Sequence, residues 1–511
     1  MPDQFLACNA ALYPTRIALE SQGRAFSFGA LEVAVQKLAG VLGPLKKQAP
    51  RLVAIDFEDS LYHWIVFLAL ARLSLPCCTL PPEAEGITEE SLSALAPDFI
   101  ITERRKKQET QAHEYLVLGA EWFKKVFQAQ TPTSFDENIS TDFDISEDRP
   151  FYVGLAGASV GGNQPVILNR RKVREVMSRL LWMDSVLIEG GARPIFVSTV
   201  HPSSLTGFLS LCSAFSSGLQ VRFHDPANPA QAFVGAGPFV AILTPAHVAI
   251  VLESLEPLSS PHPNITLILG GGRASDRLLE RCYAHFTPNV RLVYATDETG
   301  PIAMITGNKR IAPEHVGPIL PWAQVKAVGE NGEILPAGQT GEIWLKVTDG
   351  ILSYQALNGR KDSYSGANAR YFQNGWFLSG DRGKIILQNG IKTLWIEGRA
   401  DDLVTLGGGK FDLAKIDLVL SEDPNVQEAG SFIYTDGDGR ERLSCAVVAK
   451  EGCELDFKSL SMLFHGLYPG LPPLPIFRIK RLPRDSFGMV ERHLLIKNAK
   501  GRIPQNLGGE A

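Results

Sequence analysis

The sequence predicts an α/β fold built largely on parallel sheets, followed by a β-rich part. Helical and strand-like runs alternate through the first part of the chain, as is typical of strands joined by helical crossovers. From about Val325 the pattern changes to short strand-like runs with tight turns, which predicts a β-rich subdomain. Residues after Arg399 again mix helices with strands.

The individual elements follow from apolar periodicity and turn residues. A helical pattern covers residues 28–42, and the apolar run at 52–55 predicts an early buried strand. Further strands are expected in four apolar runs, at 194–200, 240–243, 265–269 and 290–294. The β-rich part contributes three more, at 325–328, 330–334 and 341–345.

Composition limits the class of protein. A chain of 511 residues is too long for one compact core, so two or more domains are expected. Apolar residues make up 45% and charged residues 21%, which is ordinary for a folded soluble protein. The formal charge of −5 argues against a nucleic-acid partner, because there is no basic excess to neutralise phosphates.

The remaining compositional features predict a cytoplasmic location. No basic region precedes an apolar run at the start, so no secretory signal is expected. The apolar run around residues 64–71 is too short to span a bilayer, so no integral membrane segment is expected. The seven cysteines are scattered without metal-ligand spacing, which indicates reduced, buried thiols.

Two segments contain residue types that can contact phosphate or a cation. Residues 155–164 are rich in small residues, and such a backbone can wrap an anion with its N–H groups; a surface turn is the alternative. An apolar strand ends in Tyr294, Asp297 and Glu298, where active-site groups commonly lie. Glu298 can ligate Mg²⁺ through oxygen, and a solvated loop is the alternative.

Two further segments are candidates for the site. His201 follows a strand and precedes an apolar helix, and a structural role is its alternative, since no Ser or Asp pattern suggests a triad. In residues 375–409, Asp381 can accept from sugar hydroxyls, Arg399 can pair with phosphate, and Asp401 can act as a hinge. Each has an alternative as a turn residue or surface ion pair, but together they predict a nucleotide-sized site between domains.

In this order, the segments resemble the adenylate-forming superfamily of acyl- and aryl-CoA synthetases, peptide-synthetase adenylation domains and luciferases. The resemblance covers nearly the whole chain. It rests on Phe-Ser-Phe at residues 26–28, Val-Gly-Pro at 316–318, Gly-Glu-Ile at 332–334, Gly-Trp-Phe-Leu-Ser-Gly-Asp at 375–381, Gly-Arg-Ala-Asp-Asp-Leu-Val at 398–404, Asp-Pro-Asn-Val at 423–426 and Leu-Pro-Arg-Asp-Ser-Phe-Gly-Met-Val-Glu-Arg at 482–492.

The resemblance implies two domains and two half-reactions. Residues 1–398 are expected to form a large N-terminal domain of α/β subdomains plus a β-rich subdomain, and residues 399–511 a small mobile α+β domain. A carboxylate attacks the α-phosphate of ATP, with Mg²⁺, to give an acyl-adenylate and pyrophosphate. A thiol, from CoA or the phosphopantetheine of an acyl or peptidyl carrier protein, then takes the acyl group.

The resemblance also implies a role for each candidate residue. Asp381 corresponds to the ribose-binding acid, Arg399 to the nucleotide-contacting arginine and Asp401 to the hinge. Glu298 corresponds to the Mg²⁺-associated glutamate and His201 to the histidine that borders the acyl pocket. The remaining expected nucleotide contacts are Ser159 and Gly161 in the phosphate loop, the triplet Gly270, Gly271 and Gly272 beside adenine, Tyr294 and Asp297.

The chain departs from the family pattern at its phosphate loop and in its closing motif. Val160 replaces a hydroxyl residue and Gln164 replaces a lysine in the phosphate loop, while Ala295 replaces the glycine before the acids. Met489 replaces the closing lysine, which bridges carboxylate and α-phosphate in the first step. A thioether supplies no charge, and losing one such contact typically costs about a hundred- to a thousand-fold in rate.

Two functional hypotheses remain open on the sequence. The first is an ATP-dependent acid–thiol ligase; because residues 202–208 contain no acid to clamp an α-ammonium, a fatty or aromatic carboxylic acid is favoured. The second is an impaired or repurposed relative that binds nucleotide or acyl groups, or uses a preformed activated acyl group, without adenylation.

Overall fold

The protein is described by a computed structural model. The described residues are 1–80, 92, 95–104, 113–128, 147–156, 164–187, 193–224, 229–235, 237–255, 261–354, 365–406, 409–435, 440–450, 452–469, 474–483, 490 and 492–499.

Helices and strands alternate through the large N-terminal part of the chain. The helices are α1 (Pro2–Leu12), α2 (Phe28–Gln48), α3 (Ser60–Arg72), α4 (Ala120–Gln128), α5 (Arg170–Leu187), α6 (Leu205–Ser216), α7 (Pro245–Leu255), α8 (Asp276–His285), α9 (Ser365–Tyr371), α10 (Leu413–Leu420), α11 (Phe457–Leu467) and α12 (Arg492–Ala499). The strands are β1 (Ile17–Ser21), β2 (Arg24–Ser27), β3 (Val53–Asp56), β4 (Cys77–Thr79), β5 (Phe99–Thr102), β6 (Glu114–Val117), β7 (Pro150–Ala156), β8 (Gln164–Asn169), β9 (Ile195–Ser198), β10 (Gln220–Phe223), β11 (Phe239–Leu243), β12 (Ile265–Leu269), β13 (Asn289–Thr296), β14 (Gly300–Thr306), β15 (His315–Pro318), β16 (Ala323–Val328), β17 (Gly341–Val347), β18 (Phe372–Gln373), β19 (Trp376–Gln388), β20 (Ile391–Arg399), β21 (Leu403–Leu406), β22 (Gly409–Asp412), β23 (Val426–Thr435), β24 (Glu441–Ala449) and β25 (Ile476–Arg478).

Two sheets are parallel in their interiors and antiparallel only at their edges. One has eight strands in the order β14-β13-β12-β11-β9-β10-β1-β2, and the other has six in the order β6-β5-β3-β4-β7-β8. Strands β3, β11 and β12 are short aliphatic runs with mostly buried side chains, as expected for strands covered on both faces. The predicted, largely parallel α/β arrangement is confirmed in this part of the chain.

An aromatic core holds the two parallel sheets together through helices α3 and α6. Trp64 and Phe67 on α3 meet Phe208 on α6, and Tyr152 of β7 stacks on Phe208 with ring centroids 3.6 Å apart. All four side chains are buried, and full burial of a phenylalanine side chain alone contributes roughly 1.5–3 kcal/mol. This core fixes the loops at the sheet edges relative to each other.

The predicted β-rich subdomain is confirmed as an antiparallel sheet in the order β15-β20-β19-β17-β16. One of its predicted strands is wrong: residues 330–334 form a turn. Gly332 has a φ of +83°, and only a single bridge joins Val328 to Ile334. The left-handed glycine turns the chain within this polar stretch, which prevents a continuous ladder.

Two apolar clusters lie entirely within the C-terminal part of the chain. One surrounds Phe411, Ile416 and Phe464, and the other surrounds Phe432 and Leu482. Neither includes a residue before Val404 among the described residues. These clusters are consistent with the predicted boundary at Arg399, which stays a prediction.

The structure changes two expectations: where helix α2 ends and whether all the cysteines are buried. Helix α2 begins at the predicted residue but continues six residues beyond its predicted end at 42, to Gln48. By length and composition it meets the criterion for a membrane span, although 44% of the apolar window is buried and Leu31, Val35 and Leu38 lie in the core. The cysteines are free and five are buried, whereas the expectation of burial is wrong for the exposed Cys8.

Candidate functional site

Three of the predicted site segments follow parallel strands of the eight-stranded sheet. His201 follows β9, residues 270–272 follow β12, and Glu298 follows β13. Strands β9, β11, β12 and β13 run parallel to one another, so their carboxyl ends meet at one edge of the sheet. That edge is where open α/β sheets commonly bind ligands.

Asp381 enters this edge from the antiparallel sheet and meets Tyr294. The Tyr294 hydroxyl donates a hydrogen bond to Asp381 Oδ2, and the Asp381 backbone N–H donates to Ser379 Oγ at 3.1 Å. The Asp381 residue is 9% exposed. Burial raises the pKa of its carboxyl above the usual value, while the nearby Arg399 and the Tyr294 hydroxyl act in the opposite direction.

Gly380 is required for the approach of Arg399 to this acid. Its φ is +69°, and a Cβ at this position would lie 2.8 Å from Arg399 Nη2. Asp381 and Arg399 are direct partners in the β19–β20 register. A larger residue at 380 would therefore both strain the backbone and displace the guanidinium.

Arg399 is shared between the backbone and two aspartates. Nη1 donates to the Ser379 carbonyl at 3.1 Å and lies 3.6 Å from Asp381 Oδ1, while Nη2 donates to Asp401 Oδ2 at 3.0 Å. Burial disfavours the charged guanidinium, but Asp381 and Asp401 outweigh it and raise the pKa of Arg399. The side chain of Asp401 is 72% exposed. The structure thus brings the predicted ribose acid, phosphate arginine and hinge acid together.

Glu298 is buried in the turn between β13 and β14. Only 1% of the residue is exposed, and the Tyr354 hydroxyl donates to its Oε1 at 2.6 Å. The Leu352 backbone N–H also donates to the Glu298 carbonyl at 2.9 Å. Asp297 beside it is half-buried, and a hydroxyl contact of 2.9 Å between Thr296 and Thr299 closes the turn.

No metal cluster is found among the described residues, since none of their His, Cys, Asp and Glu side chains gather in groups of three or more. A single carboxylate nevertheless suits Mg²⁺, which proteins usually hold through one or two carboxylates together with substrate phosphates and water. The role of Glu298 as that carboxylate stays a prediction. When bound, the ion would supply positive charge next to the phosphates.

The triplet Gly270, Gly271 and Gly272 lies against the strand that carries Tyr294. A Cβ on Gly270 would meet the carbonyl oxygen of Val293 at 3.2 Å, and Gly271 has a φ of +73°. The following residue, Arg273, donates to the Glu397 carbonyl at 3.3 Å. The glycine turn therefore bridges β13 and β20, next to the residues around Asp381.

His201 lies at the same edge and is held as a neutral imidazole. Its Nδ1 contacts Ser203 Oγ at 2.9 Å, and its ring packs edge-on against His63 with centroids 5.9 Å apart. Burial lowers the pKa of His201 to about 4, with a further contribution from His224. His201 Nε2 is buried and has no hydrogen-bond partner among the described residues.

Ser159, Gly161 and Met489 lie outside the described residues, but the strands that flank the phosphate loop are defined. Leu155 of β7 bridges to Ser204, close to His201, and Val166 of β8 bridges to Tyr354. The strands on either side of the loop are thus joined to the His201 loop and to the Tyr354 segment. The expectations for Ser159 and Gly161 stay predictions.

The sequence did not reveal the residues that hold the two acids. Tyr354 and Ser379 contact Glu298 and Asp381 respectively, yet neither belongs to a pattern that suggested its partner. Ser203 was also missed as the partner of His201. Ser203 carried a local signal, because a hydroxyl residue two positions after a histidine can close a turn on it.

Comparison with known proteins places this architecture among adenylate-forming enzymes. The family model described as AMP-binding enzyme matches residues 6–354. The fold resembles ATP-bound MatB from Rhodopseudomonas palustris, with a TM-score of 0.75, 18% identity and coverage of 98% of this chain and 100% of that chain. It also resembles the o-succinylbenzoate CoA synthetase MenE from Bacillus subtilis in complex with the acyl-adenylate intermediate OSB-AMP. The TM-score is 0.76 at 19% identity, and the match covers 96% of this chain and 97% of that chain. The predicted fold is thereby confirmed.

Curated relatives include CoA ligases and a peptide synthetase. Indoleacetate–CoA ligase of Aromatoleum aromaticum is 26% identical over 50% of this chain and 48% of its own length. 2-Succinylbenzoate–CoA ligase of a Geobacillus species is 28% identical over 57% of this chain and 56% of its own length. Nonribosomal peptide synthetase 6 of Cochliobolus heterostrophus is 22% identical over 86% of this chain and 26% of its own length. The chain thus spans about half the length of the two CoA ligases.

Proposed function

Because the chain belongs to the AMP-binding enzyme family, we propose that it is an ATP-dependent ligase joining a carboxylic acid to a thiol. In the first half-reaction, a carboxylate oxygen attacks the α-phosphorus of ATP, and the bond to pyrophosphate breaks. In the second, the sulfur of a deprotonated thiol attacks the acyl carbon, and AMP leaves with the bonding electrons.

The observation that carries this proposal is the grouping of Tyr294, Asp381, Arg399 and Glu298 at one sheet edge. We assign Asp381 to the ribose hydroxyls, because a buried carboxylate with a tyrosine donor retains acceptor capacity for hydroxyl groups. Arg399 suits a phosphate, since a guanidinium presents paired donors. Glu298 suits Mg²⁺, and the exposed Asp401, two residues after the end of β20, is the proposed hinge of the C-terminal domain.

We assign the acid to the region of His201. The neutral imidazole, which packs against His63 next to the buried Trp64, favours an apolar acyl group over a charged one. Residues 202–208 contain no acid that would pair with an α-ammonium group. The relatives named for indoleacetate and 2-succinylbenzoate support an aromatic carboxylic acid within this class.

The acceptor thiol belongs to CoA or to the phosphopantetheine of a carrier protein. The CoA ligases among the relatives support CoA, and the peptide synthetase supports a carrier protein. A comparison of thioester formation with free CoA and with a loaded carrier protein distinguishes the two. A cytoplasmic location fits either acceptor and stays a prediction.

Met489 favours a second candidate function. Without the closing lysine, the proposed first half-reaction lacks a positive charge, which corresponds to a loss of about a hundred- to a thousand-fold. A relative that binds nucleotide or acyl-adenylate, or accepts a preformed activated acyl group, would not need that lysine. This candidate predicts nucleotide binding without pyrophosphate release.

Pyrophosphate exchange across a panel of aryl and fatty acids tests the ligase directly. We expect slow exchange by the wild type with at least one acid, and faster exchange by Met489→Lys. Absence of exchange in both proteins with every acid would reject the ligase and favour the second candidate. Absence of any binding of ATP, AMP or an acyl-adenylate mimic in calorimetry would reject both.

A further inference from the structure

A short segment after β17, residues 349–354, connects three parts of the candidate site. Arg179 on α5 forms an ion pair with Asp349 at 3.0 Å, and only 5% of the arginine side chain is exposed. Lys172 on the same helix donates to the Gly350 carbonyl at 3.1 Å. The segment ends at Tyr354, which bridges to Val166, in the strand that follows the phosphate loop. We call residues 349–354 the strap.

The strap also holds the turn that carries Glu298. The Leu352 N–H donates to the Glu298 carbonyl at 2.9 Å, which fixes the backbone. The Tyr354 hydroxyl donates to Glu298 Oε1 at 2.6 Å, which fixes the side chain. Arg179 Nη1 donates to the neighbouring Thr299 carbonyl at 2.9 Å. One segment thus determines both the position of the turn and the orientation of its carboxylate.

Tyr354 is itself held from several sides, so its hydroxyl has a defined position. The residue is 1% exposed, and its ring packs edge-on against Phe372 with centroids 5.2 Å apart. The Asn368 side chain accepts from the Tyr354 N–H at 3.1 Å and donates to its carbonyl at 2.8 Å.

We propose that Tyr354 is a positioning residue that orients Glu298 toward Mg²⁺, and that the strap joins this carboxylate to the strand leaving the phosphate loop. This inference rests on the proposed function. Carboxylates that ligate metals are commonly oriented by a hydrogen bond from a second residue, and loss of that residue typically lowers metal affinity or activity about 10- to 100-fold. Tyr354 occupies such a place relative to Glu298.

Calorimetric titration of ATP with and without Mg²⁺ tests the proposal. Tyr354→Phe keeps the buried ring and removes only the hydroxyl. We expect the variant to lose about 10-fold or more of the Mg²⁺-dependent gain in ATP affinity, with metal-free AMP binding unchanged. The matched control is Tyr283→Phe, since the Tyr283 hydroxyl has no hydrogen-bond partner among the described residues. This control should bind as the wild type does.

A double-mutant cycle with Glu298→Gln separates positioning from a general structural role. If Tyr354 acts through Glu298, Tyr354→Phe has no further effect on Mg²⁺-dependent binding in the Glu298→Gln background. Equal losses in both backgrounds, or no loss in either, would overturn the inference while the proposed function stands. A wild-type protein that binds ATP equally with and without Mg²⁺ would overturn the inference, and one that binds no nucleotide would overturn the proposed function as well.

Discussion

Arg399 at the candidate site and Arg492 in the C-terminal part each lie between two aspartates, but the contacts differ. Arg492 donates to Asp402 and Asp417 at 2.8 Å each and to the Ser431 carbonyl at 2.5 Å. Arg399 reaches Asp401 at 3.0 Å but approaches Asp381 only to 3.6 Å. The two short carboxylate contacts of Arg492 are typical of a structural clamp, whereas Arg399 approaches Asp381 less closely and has the proposed role of a phosphate contact.

In the closing motif, residues 482–492, the structural residue Arg492 lies close in sequence to a position with a predicted catalytic role, Met489. Arg492 stands three residues after Met489 and ties helix α12 to β23 and to Asp402, next to the proposed hinge. The closing motif therefore keeps its arginine, while Met489 stands where the resemblance to the family implies a lysine. Arg492 can thus be held by its ion pairs although position 489 supplies no charge to the proposed first half-reaction.

The largest effect expected on stability is that of Arg492→Met. Removal of one partner from a buried ionic network leaves two carboxylates uncompensated, which costs about 3–5 kcal/mol. Native-state hydrogen exchange should show loss of protection in α10 and β23, with little change in the parallel sheets. Arg478→Met is the control, because that side chain lies on β25 in an exposed position. Equal protection in Arg492→Met and the control would mean that Arg492 is no clamp.

A second prediction concerns pH and the same network. Burial raises the pKa of Asp417 to about 6 from the usual 3.8, although Arg492 acts in the opposite direction. The folded state thus holds this proton more tightly than the unfolded state, so the contribution of Asp417 to the free energy of unfolding falls as pH rises from about 4 to about 6. Linkage at about 1.4 kcal/mol per pKa unit limits the change to about 3 kcal/mol.

Urea denaturation followed by circular dichroism at several pH values measures this contribution. The difference in free energy of unfolding between the wild type and Asp417→Asn should shift in favour of the variant as pH rises through this window. A pH-independent difference would show that Asp417 titrates normally and that the network is less desolvated than its geometry suggests.

At the candidate site the expected effect is smaller and concerns binding. Asp381→Asn replaces an acceptor-only group with an amide, and the loss of a charged hydrogen bond costs about 1.5–3 kcal/mol, or roughly 10- to 100-fold in AMP affinity. Calorimetry with AMP measures this loss of affinity. Asp423→Asn is the control, at a buried aspartate of the C-terminal part. If both variants bind AMP as tightly as the wild type, Asp381 is not the ribose acid.

The sequence predicted the strands and their grouping better than the contacts within the site. Parallel strands such as β11 and β12 were found because uninterrupted aliphatic runs have few alternatives to a buried strand. The strand predicted at 330–334 was wrong because a positive-φ glycine decided the local structure. The extension of helix α2 through Pro44 to Gln48 was missed because proline usually signals a helix end.

Within the site, the sequence identified the acids and the arginine but not what holds them. Asp381 and Arg399 were found because glycine-rich motifs surround them, and the β19–β20 register then makes them neighbours. Tyr354 is 56 residues from Glu298, and no local pattern reports a hydrogen bond across that separation. Such contacts depend on how sheets pack, which a single sequence does not reveal.

The most direct test of the proposed ligase activity measures the two half-reactions separately in the wild type and in Met489→Lys. We expect that thioester formation from a supplied acyl-adenylate is equal in both proteins, whereas acyl-adenylate formation from acid and ATP rises about a hundred- to a thousand-fold in the variant. Equal rates of acyl-adenylate formation in the two proteins would contradict this expectation, because the charge missing at position 489 would then have no part in the chemistry.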